Sequence, residues 1–302
     1  MARLNICNLY ARVSKPAQIK RKGDEYVYGM CYVEVVRGVR DAHDNLKYVK
    51  HDFPLIMSKE PSIVANMDDW KENDIVVIKG MVVSKKIPKN SFCDECTDED
   101  GNPTKNTVQG NLLYINPIHV KKITSYGDDK KAAENDILEN REISNQLYVM
   151  GTLCNDPKQF KTKRGLIVTQ YQLAINRKFR IRTDDPSIKT DWVWVKTYGE
   201  QAVEDRMRLS QSSELTIDGF IQARTVHRKM KCCNCGKIYH WTDHAMEIVP
   251  YECEYVSGTY KSDDELEREN EHKVEEIRQM LFNNTMKDTI EEEYQSEDVV
   301  EE

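Results

Sequence analysis

Two short cysteine motifs are the residues in this sequence with the clearest capacity for chemistry. Cys93 and Cys96 form one C-x-x-C pair, and Cys232 and Cys235 form another. In a chain without an apolar leader segment, this spacing is typical of metal or redox sites rather than of a disulfide framework. A closed tetrahedral zinc site needs four ligands, and each pair supplies two. The sequence therefore predicts zinc binding, with the other ligands of each pair still to be found.

Three sets of ligands would complete such a site. The two pairs could share one zinc ion, the second pair could use His240 and His244, or pairs could join across a dimer. The stretch that follows Cys93, CDECTDEDGNPTKNTVQG, contains no histidine, which favours sharing. Thiols that bind no metal are the remaining alternative.

A second group combines aromatic and basic side chains. In the segment WVWVKTY, strand alternation places Trp192, Trp194, Lys196 and Tyr198 on one face. The basic run RKFRIR (177–182) lies just before it. Aromatic rings stack on any base with about 1–3 kcal/mol each, and nearby cations neutralise phosphates. The pattern favours sequence-tolerant binding of single-stranded nucleic acid, and the alternative is that this face packs against another domain.

The elements that carry these groups occur twice in the chain. The two cysteine pairs are 139 residues apart, and at the same offset Asp52-Phe53 falls on Asp191-Trp192 and Gly80 falls on Gly219. Upstream the offset drifts by only two residues, where KPAQIK (15–20) matches DPKQFK (156–161). A match this long with so few gaps indicates an internal duplication.

Each copy has the same predicted order of elements: three strands, a short helix and two more strands. The predicted strands of the first copy lie near 3–13, 26–40, 46–57, 74–87 and 111–123, with a helix near 60–71. Those of the second lie near 146–154, 166–182, 190–198, 214–226 and 243–256, with a helix near 199–209. This order matches the five-stranded OB-fold barrel. The predicted fold is therefore all-β, with two tandem OB-fold barrels.

The predicted domain boundaries follow from these elements. The first barrel covers 1–123, a polar linker that is flexible or forms a short helix covers 124–144, the second barrel covers 145–260, and an acidic, partly helical or disordered tail covers 261–302. The whole chain has a net charge of −7, but residues 262–302 contain 16 acidic and 4 basic side chains. The rest of the chain therefore has a net charge of +5, which suits a partner carrying phosphates.

The second copy, from Asn145 to about Val256, resembles the bacterial and phage-type single-stranded DNA-binding protein family. Three runs carry the resemblance: NQLYVMGTLCNDPKQFKTKRG, TQYQLAINRKFR and DWVWVKTYGEQAVEDRMRLSQSSELTIDGFIQAR. The resemblance implies a non-catalytic OB-fold protein that coats single-stranded DNA in replication, recombination, repair or plasmid and phage DNA transfer. It also implies a working unit of four barrels, which for this chain means a homodimer.

The resemblance also assigns residue roles. It places stacking positions on Phe179, Trp192 and Tyr198, and basic positions on Arg177, Lys178 and Arg180. The full predicted DNA-binding set adds side chains from the strand face and one from the first copy: Trp194, Lys196 and Phe53. At the matching positions the first copy keeps only Phe53 as an aromatic, so it is expected to bind DNA weakly and mainly to pack.

Other functional classes are disfavoured by what the sequence contains. It has no phosphate-cradling glycine loop, no nucleophile elbow and no carboxylate cluster on the predicted barrel core, so no enzymatic activity is expected. No stretch approaches the ~18 apolar residues of a membrane span, and a cytoplasmic location is expected. The acidic tail could recruit replication proteins, although it lacks the aromatic tip common in the family. A different class of function is a zinc-clamped interaction scaffold in a replication or mobile-element complex.

Overall fold

The computed structural model describes residues 4–40, 46–97, 101–163, 165–183 and 185–258. The first copy contains β1 (Asn5–Val13), β2 (Gln18–Lys22), β3 (Glu25–Arg40), β4 (Leu46–Asp52), β5 (Leu55–Ser58), α1 (Pro61–Asp68), β6 (Asp74–Thr97) and β7 (Pro103–Ser125). The second contains β8 (Asn145–Leu153), β9 (Lys158–Lys161), β10 (Ile167–Asn176), β11 (Thr190–Tyr198), α4 (Gly199–Arg208), β12 (Glu214–Lys231) and β13 (Ile238–Ser257). Between them lie α2 (Lys130–Glu139) and α3 (Arg141–Ser144).

The strands form because apolar residues alternate with polar ones. In β8, every second residue from Asn145 to Leu153 is buried, Leu147 and Val149 among them, while the residues that alternate with them are partly exposed. The same pairings close both copies: β1 pairs with β3 and β6, and β8 pairs with β10 and β12. One parallel pairing completes each barrel, Ile56 with Ile115 in the first copy and Val195 with Ile248 in the second. The predicted all-β fold of two tandem barrels is confirmed.

The two copies meet along their first strands, in a pseudo-twofold arrangement. β1 pairs antiparallel with β8, and Cys7 lies opposite Leu147, the residue at its own position in the second copy. Asn5 and Asn145 make matching contacts beside this seam. The Asn5 amide donates to the Val82 carbonyl and accepts from the Val82 N–H, each at 2.9 Å. Asn145 does the same with Ile221 at 2.8 and 3.0 Å.

One buried ion pair in each copy forms a hydrogen bond across the same seam, and the two bonds run in opposite directions. Arg177 Nε donates to Asp191 Oδ2 at 2.7 Å, and Asp191 Oδ1 accepts from the Ser84 N–H of the first copy at 2.9 Å. The equivalent pair, Arg37 with Asp52 at 3.0 Å, bonds in the same way to the N–H of Ala223 in the second copy at 3.0 Å. Each copy thus uses one carboxylate to hold the other copy's long strand.

Matching glycines explain how those long strands bend. At Gly80 and Gly219 the strand register shifts, as it does at a β-bulge. A Cβ at Gly80 would lie 2.7 Å from the Asn116 carbonyl oxygen, and one at Gly219 would lie 2.4 Å from that of Val249. Because no larger residue fits so close to the backbone, the duplicated glycines mark the same bend in both barrels.

Beyond these bends, the fourth and fifth strands of each copy run on together as a two-stranded ribbon, which we call an arm. The first arm is the distal half of β6 and β7, and the second is the distal half of β12 and β13. The 24 residues of β6 span about 80 Å at roughly 3.3 Å each. The predicted strands 74–87 and 111–123 of the first copy, and 214–226 and 243–256 of the second, leave both cysteine pairs in the loops between them. For the first pair that prediction is wrong, because Cys93 and Cys96 lie on β6 itself.

The predicted linker 124–144 begins as the last residues of β7 and then forms α2 and α3. Ala133 and Ile137 of α2 pack against Val36 and Ile75 of the first barrel, and the Tyr10 hydroxyl donates to Asp136 at 2.7 Å. The linker is therefore helical and attached to the first barrel. The predicted tail, 261–302, lies outside the described residues. None of the helices in the described part of the chain is long and apolar enough to cross a membrane.

Candidate nucleic-acid interface and metal centre

Trp192 and Trp194 lie on the outward face of β11, as the alternation predicted. Trp192 is 46% exposed and Trp194 is half-buried, whereas Val193 and Val195 fill the core. The backbone N–H of Trp192 donates to the Ser84 hydroxyl of the first copy at 2.9 Å. The tryptophan face is therefore anchored at the seam between the barrels.

The tryptophans open into a groove of about 1070 Å³ that both barrels and both arms line. Its aromatic side chains come from both copies: Tyr32, Phe53, Trp192, Trp194 and Trp241. Phe53 is 43% exposed and Tyr32 is 44% exposed, so each leaves much of its ring uncovered. Exposed aromatic rings are costly in water unless something covers them, and several in one concave surface indicate a binding site.

The walls of the groove carry more positive than negative charge. Six lysine and arginine side chains line it against two carboxylates, Asp243 and Glu247. Lys89 and Arg228 both bond to Asp243, at 2.6 and 2.8 Å. Lys15 and Lys86 lie exposed along the wall. The surplus of cations would attract a polyanion.

Lys196 was predicted on the binding face, and it lies at the wall of the groove with its charged end buried. Its side chain is 1% exposed and pairs with Glu247 at 3.4 Å. Arg224 pairs with the same carboxylate at 3.1 Å. Burial opposes ionisation of Glu247, but the charges of Lys196 and Arg224 hold its pKa below the ordinary value. Lys196 therefore holds β11 against β13 and has little reach to a ligand.

Some side chains of the basic run 177–182 pack against the rest of the protein, and others are exposed to solvent. Phe179 is half-buried and packs with Leu55, Met81 and Tyr114 of the first copy, which fits a contact between barrels better than a stacking surface. Arg177 is held by Asp191. Lys178 and Arg180 are exposed, and Tyr198 is half-buried at the end of β11.

A second groove of about 960 Å³ adjoins the first. The two grooves share Ser84, Lys86, Asn111 and Trp192. The second groove continues over the first barrel, where Tyr28 and Lys59 line it, and along the basic run, where Arg177 and Arg182 do. Trp192 thus lies where the two concave surfaces meet.

Trp241 and Tyr32 were not among the predicted site residues. In the structure, Tyr239, Trp241 and Asp243 lie on the covered face of β13 and alternate with Ile238, His240 and Thr242, which are exposed. The sequence does not indicate this face, because the apolar Ile238 is exposed and the charged Asp243 is covered. Tyr32 carries no signal either, since its neighbours give no indication that the first barrel faces the second.

The four cysteines meet where the arm tips cross. The Sγ atoms of Cys93 and Cys235 are 3.9 Å apart, those of Cys96 and Cys232 are 3.6 Å apart, and all four lie within 4.8 Å of one another. A tetrahedron with Zn–S bonds of about 2.3 Å has edges of about 3.8 Å. A disulfide needs about 2.0 Å, and all four cysteines are free. The spacing therefore fits one metal ion held by four thiolates.

Polar groups around one of these thiols, that of Cys232, favour its thiolate, whereas burial raises the pKa of Cys93. The Asn234 N–H donates to the Cys232 Sγ at 3.4 Å, and the Asn106 amide does so at 3.7 Å. Backbone N–H donors, that of Cys235 first, lower the pKa of Cys232 to about 6. Gly236, with φ of 71°, closes the tight turn that follows. Of the three ligand sets, sharing between the pairs is the one that the described residues bring together, and His240 and His244 do not join it.

Parts of the chain are similar to known proteins. Residues 144–232 match the model of the Single-strand binding protein family. The wild-type single-stranded DNA binding protein from Thermus aquaticus matches with a TM-score of 0.52 and 12% identity, over 87% of this chain and 99% of that chain. A deletion mutant of the same protein matches with a TM-score of 0.53 and 13% identity, over 87% and 100%. No curated protein sequence matches the chain.

Identities this low show a shared fold, and the family model adds a match in sequence across most of the second barrel. The segment that matched contains β8 to β12, including the strand that carries Trp192 and Trp194. Residues 144–232 are therefore similar in sequence to the single-strand binding protein family, and the chain shares the OB fold of the Thermus aquaticus structures.

Proposed function

We propose that this protein binds single-stranded DNA without catalysis and with little sequence preference. The observation that carries the proposal is the pair Trp192 and Trp194, which lie on one strand face and open into a groove with surplus positive charge. Bases stack on these rings and on Phe53, while exposed cations contact the phosphates. The family match over residues 144–232 and the fold shared with a bacterial single-stranded DNA binding protein support this proposal.

The basic run contributes at the edge of the tryptophan face. Lys178 and Arg180 are exposed, and Arg182 lines the adjoining groove, so these three side chains are placed to meet the backbone of a bound strand. Arg177 positions Asp191 and Phe179 supports the barrel contact, so both act indirectly. The biological setting that we infer is DNA replication, recombination, repair or transfer, with a homodimer as the working unit and partner proteins meeting the acidic tail.

Titration with oligo-dT tests the proposal. Stacking should quench the emission of Trp192 and Trp194, and oligo-dA should bind within about an order of magnitude of oligo-dT because every base has a π-face. Affinity should fall as salt rises, with a log–log slope of roughly −0.7 for each phosphate contacted. Duplex DNA is the control. No quenching and no salt-dependent binding would favour the scaffold alternative.

We also propose that the ion at the four thiolates is zinc. The measurement is metal analysis of the purified protein, with one zinc per chain expected. Replacing Cys96 and Cys235 with serine removes one ligand from each arm and should abolish retention of the metal. Cys154→Ser is the matched control, because Cys154 is a half-buried cysteine outside the cluster and should leave the zinc content unchanged. Zinc retained by the double variant would contradict the assignment.

A further inference from the structure

Trp241 lies between the four-cysteine centre and the groove. Its side chain packs against the cluster formed by Cys93, Cys232 and Tyr239. The same residue lines the groove that Trp192 and Trp194 open into. Trp241 lies on the second arm, on β13, opposite Arg228 of β12. Among the described residues, Trp241 thus belongs both to the packing around the cysteines and to the wall of the groove.

Contacts between the arms hold Trp241 from both sides. Two residues before it, the Tyr239 hydroxyl bonds to the Ser91 hydroxyl of the first arm at 2.6 Å. Two residues after it, Asp243 accepts from Lys89 of the first arm at 2.6 Å. The thiols that lie beyond these bonds again come in pairs from the two arms. The position of the ring therefore depends on how the arms are fastened together.

An ion bound by the four thiolates would be the strongest restraint between the two arms. The other contacts between the arms near Trp241 are the Tyr239–Ser91 hydrogen bond and the Lys89–Asp243 ion pair, and near the tips the exposed Lys237–Glu95 pair. Four coordinate bonds would restrain the arm tips more tightly than these contacts do. A two-stranded ribbon is only marginally stable by itself. Without the ion, the arm that carries Trp241 has fewer restraints, and its ring is less well positioned over the groove.

We propose that Trp241 is a further base-stacking residue and that the four-thiolate centre positions it, so that metal binding and DNA binding strengthen each other. This inference rests on the proposed function. It gives a DNA-binding role to the part of the same groove that the second arm lines. Such linkage is reciprocal: if zinc tightens DNA binding by a given factor, DNA tightens zinc binding by that factor.

The first test compares the full-length, zinc-loaded protein with three variants by anisotropy of a labelled oligo-dT. Trp241→Ala should bind about 5- to 150-fold more weakly, which corresponds to one lost stacking contact. Trp241→Phe keeps a ring and should recover most of the affinity. Tyr251→Ala removes an exposed aromatic outside the groove and should bind like the wild type. Wild-type affinity in Trp241→Ala would overturn the stacking role.

The second test repeats the titration after a chelator has removed zinc, with circular dichroism showing that the barrels remain folded. The wild type should weaken to the level of Trp241→Ala, whereas Trp241→Ala should lose little more, because both changes remove the same contact. Equal further losses in the two proteins would overturn the positioning role. If the wild type binds no oligo-dT in either state, the proposed function itself fails, which is a separate outcome.

A third measurement needs no metal removal. In a Trp192→Phe, Trp194→Phe background the remaining tryptophans are Trp241 and the buried Trp70. Oligo-dT should still bind, since phenylalanine also stacks, and should quench the emission of Trp241. Adding Trp241→Phe should abolish that quenching. Equal quenching with and without Trp241 would contradict the stacking role.

Discussion

Replacing Trp192 and Trp194 together with alanine is expected to weaken oligo-dT binding at least about 30-fold. Each stacked base contributes about 1–3 kcal/mol, so losing two stacking rings costs about 2–6 kcal/mol. Both rings lie on β11 and both open into the groove. The loss should appear as a higher Kd in anisotropy titrations at fixed salt. The salt dependence should change little, because the phosphate contacts remain.

A matched double variant controls for the removal of aromatic surface. Phe92 and Tyr251 are each 59% exposed, and neither lines the groove. Replacing both with alanine should leave the Kd unchanged. The tryptophan variant should unfold at nearly the wild-type temperature, since Trp192 contributes little to the core. Unchanged oligo-dT binding by a folded tryptophan variant would rule out β11 as the stacking face.

The second large effect is expected on stability, from Asp191→Ala. The carboxylate is fully buried, neutralises Arg177, and accepts from the Ser84 N–H across the seam. Removing it leaves a buried guanidinium without its partner, which costs about 3–5 kcal/mol. Asp52→Ala removes the equivalent carboxylate of the other copy and should cost a similar amount. Urea denaturation gives the free energy of unfolding for each.

Two further variants make this prediction specific. Asp24 is exposed in the turn between β2 and β3, and its replacement by alanine should change stability by no more than about 0.5 kcal/mol. Asp191→Asn keeps an acceptor for Ser84 but loses the charge, so its stability should lie between that of Asp191→Ala and the wild type. An Asp191→Ala protein as stable as Asp24→Ala would mean that the seam does not depend on this ion pair.

The fold was predictable because its signals are local and repeated. Alternation in segments such as WVWVKTY gives the strands, and the offset of 139 residues between the cysteine pairs gives the second barrel. The arms were missed for a physical reason. The covered face of the first arm carries the polar residues Ser91, Thr104 and Asn106. The stretch after Cys93 therefore has the composition of a loop, although it forms the ends of β6 and β7.

The site was less predictable, because its details depend on contacts between distant residues. Alternation placed Lys196 beside the tryptophans, but Glu247 of β13 draws its ammonium into the interior. Sequence spacing left three sets of metal ligands open, and only the crossing of the two arms brings all four thiols within 4.8 Å. The sequence predicts weak DNA binding by the first copy, with Phe53 as its remaining aromatic, yet Phe53 lines the same groove as Trp192.

The pseudo-twofold seam has a consequence for the direction of a bound strand. A single strand of DNA runs from a 5′ to a 3′ end, whereas a groove with true twofold symmetry looks the same from either end and would accept both orientations equally. Divergence between the copies removes that equivalence. Where the second copy has Trp194 and Lys196, the first has Leu55 and Met57. The duplication therefore supplies the two halves of the groove. The substitutions that distinguish the copies make its two ends different, so a bound strand is expected to prefer one 5′-to-3′ orientation.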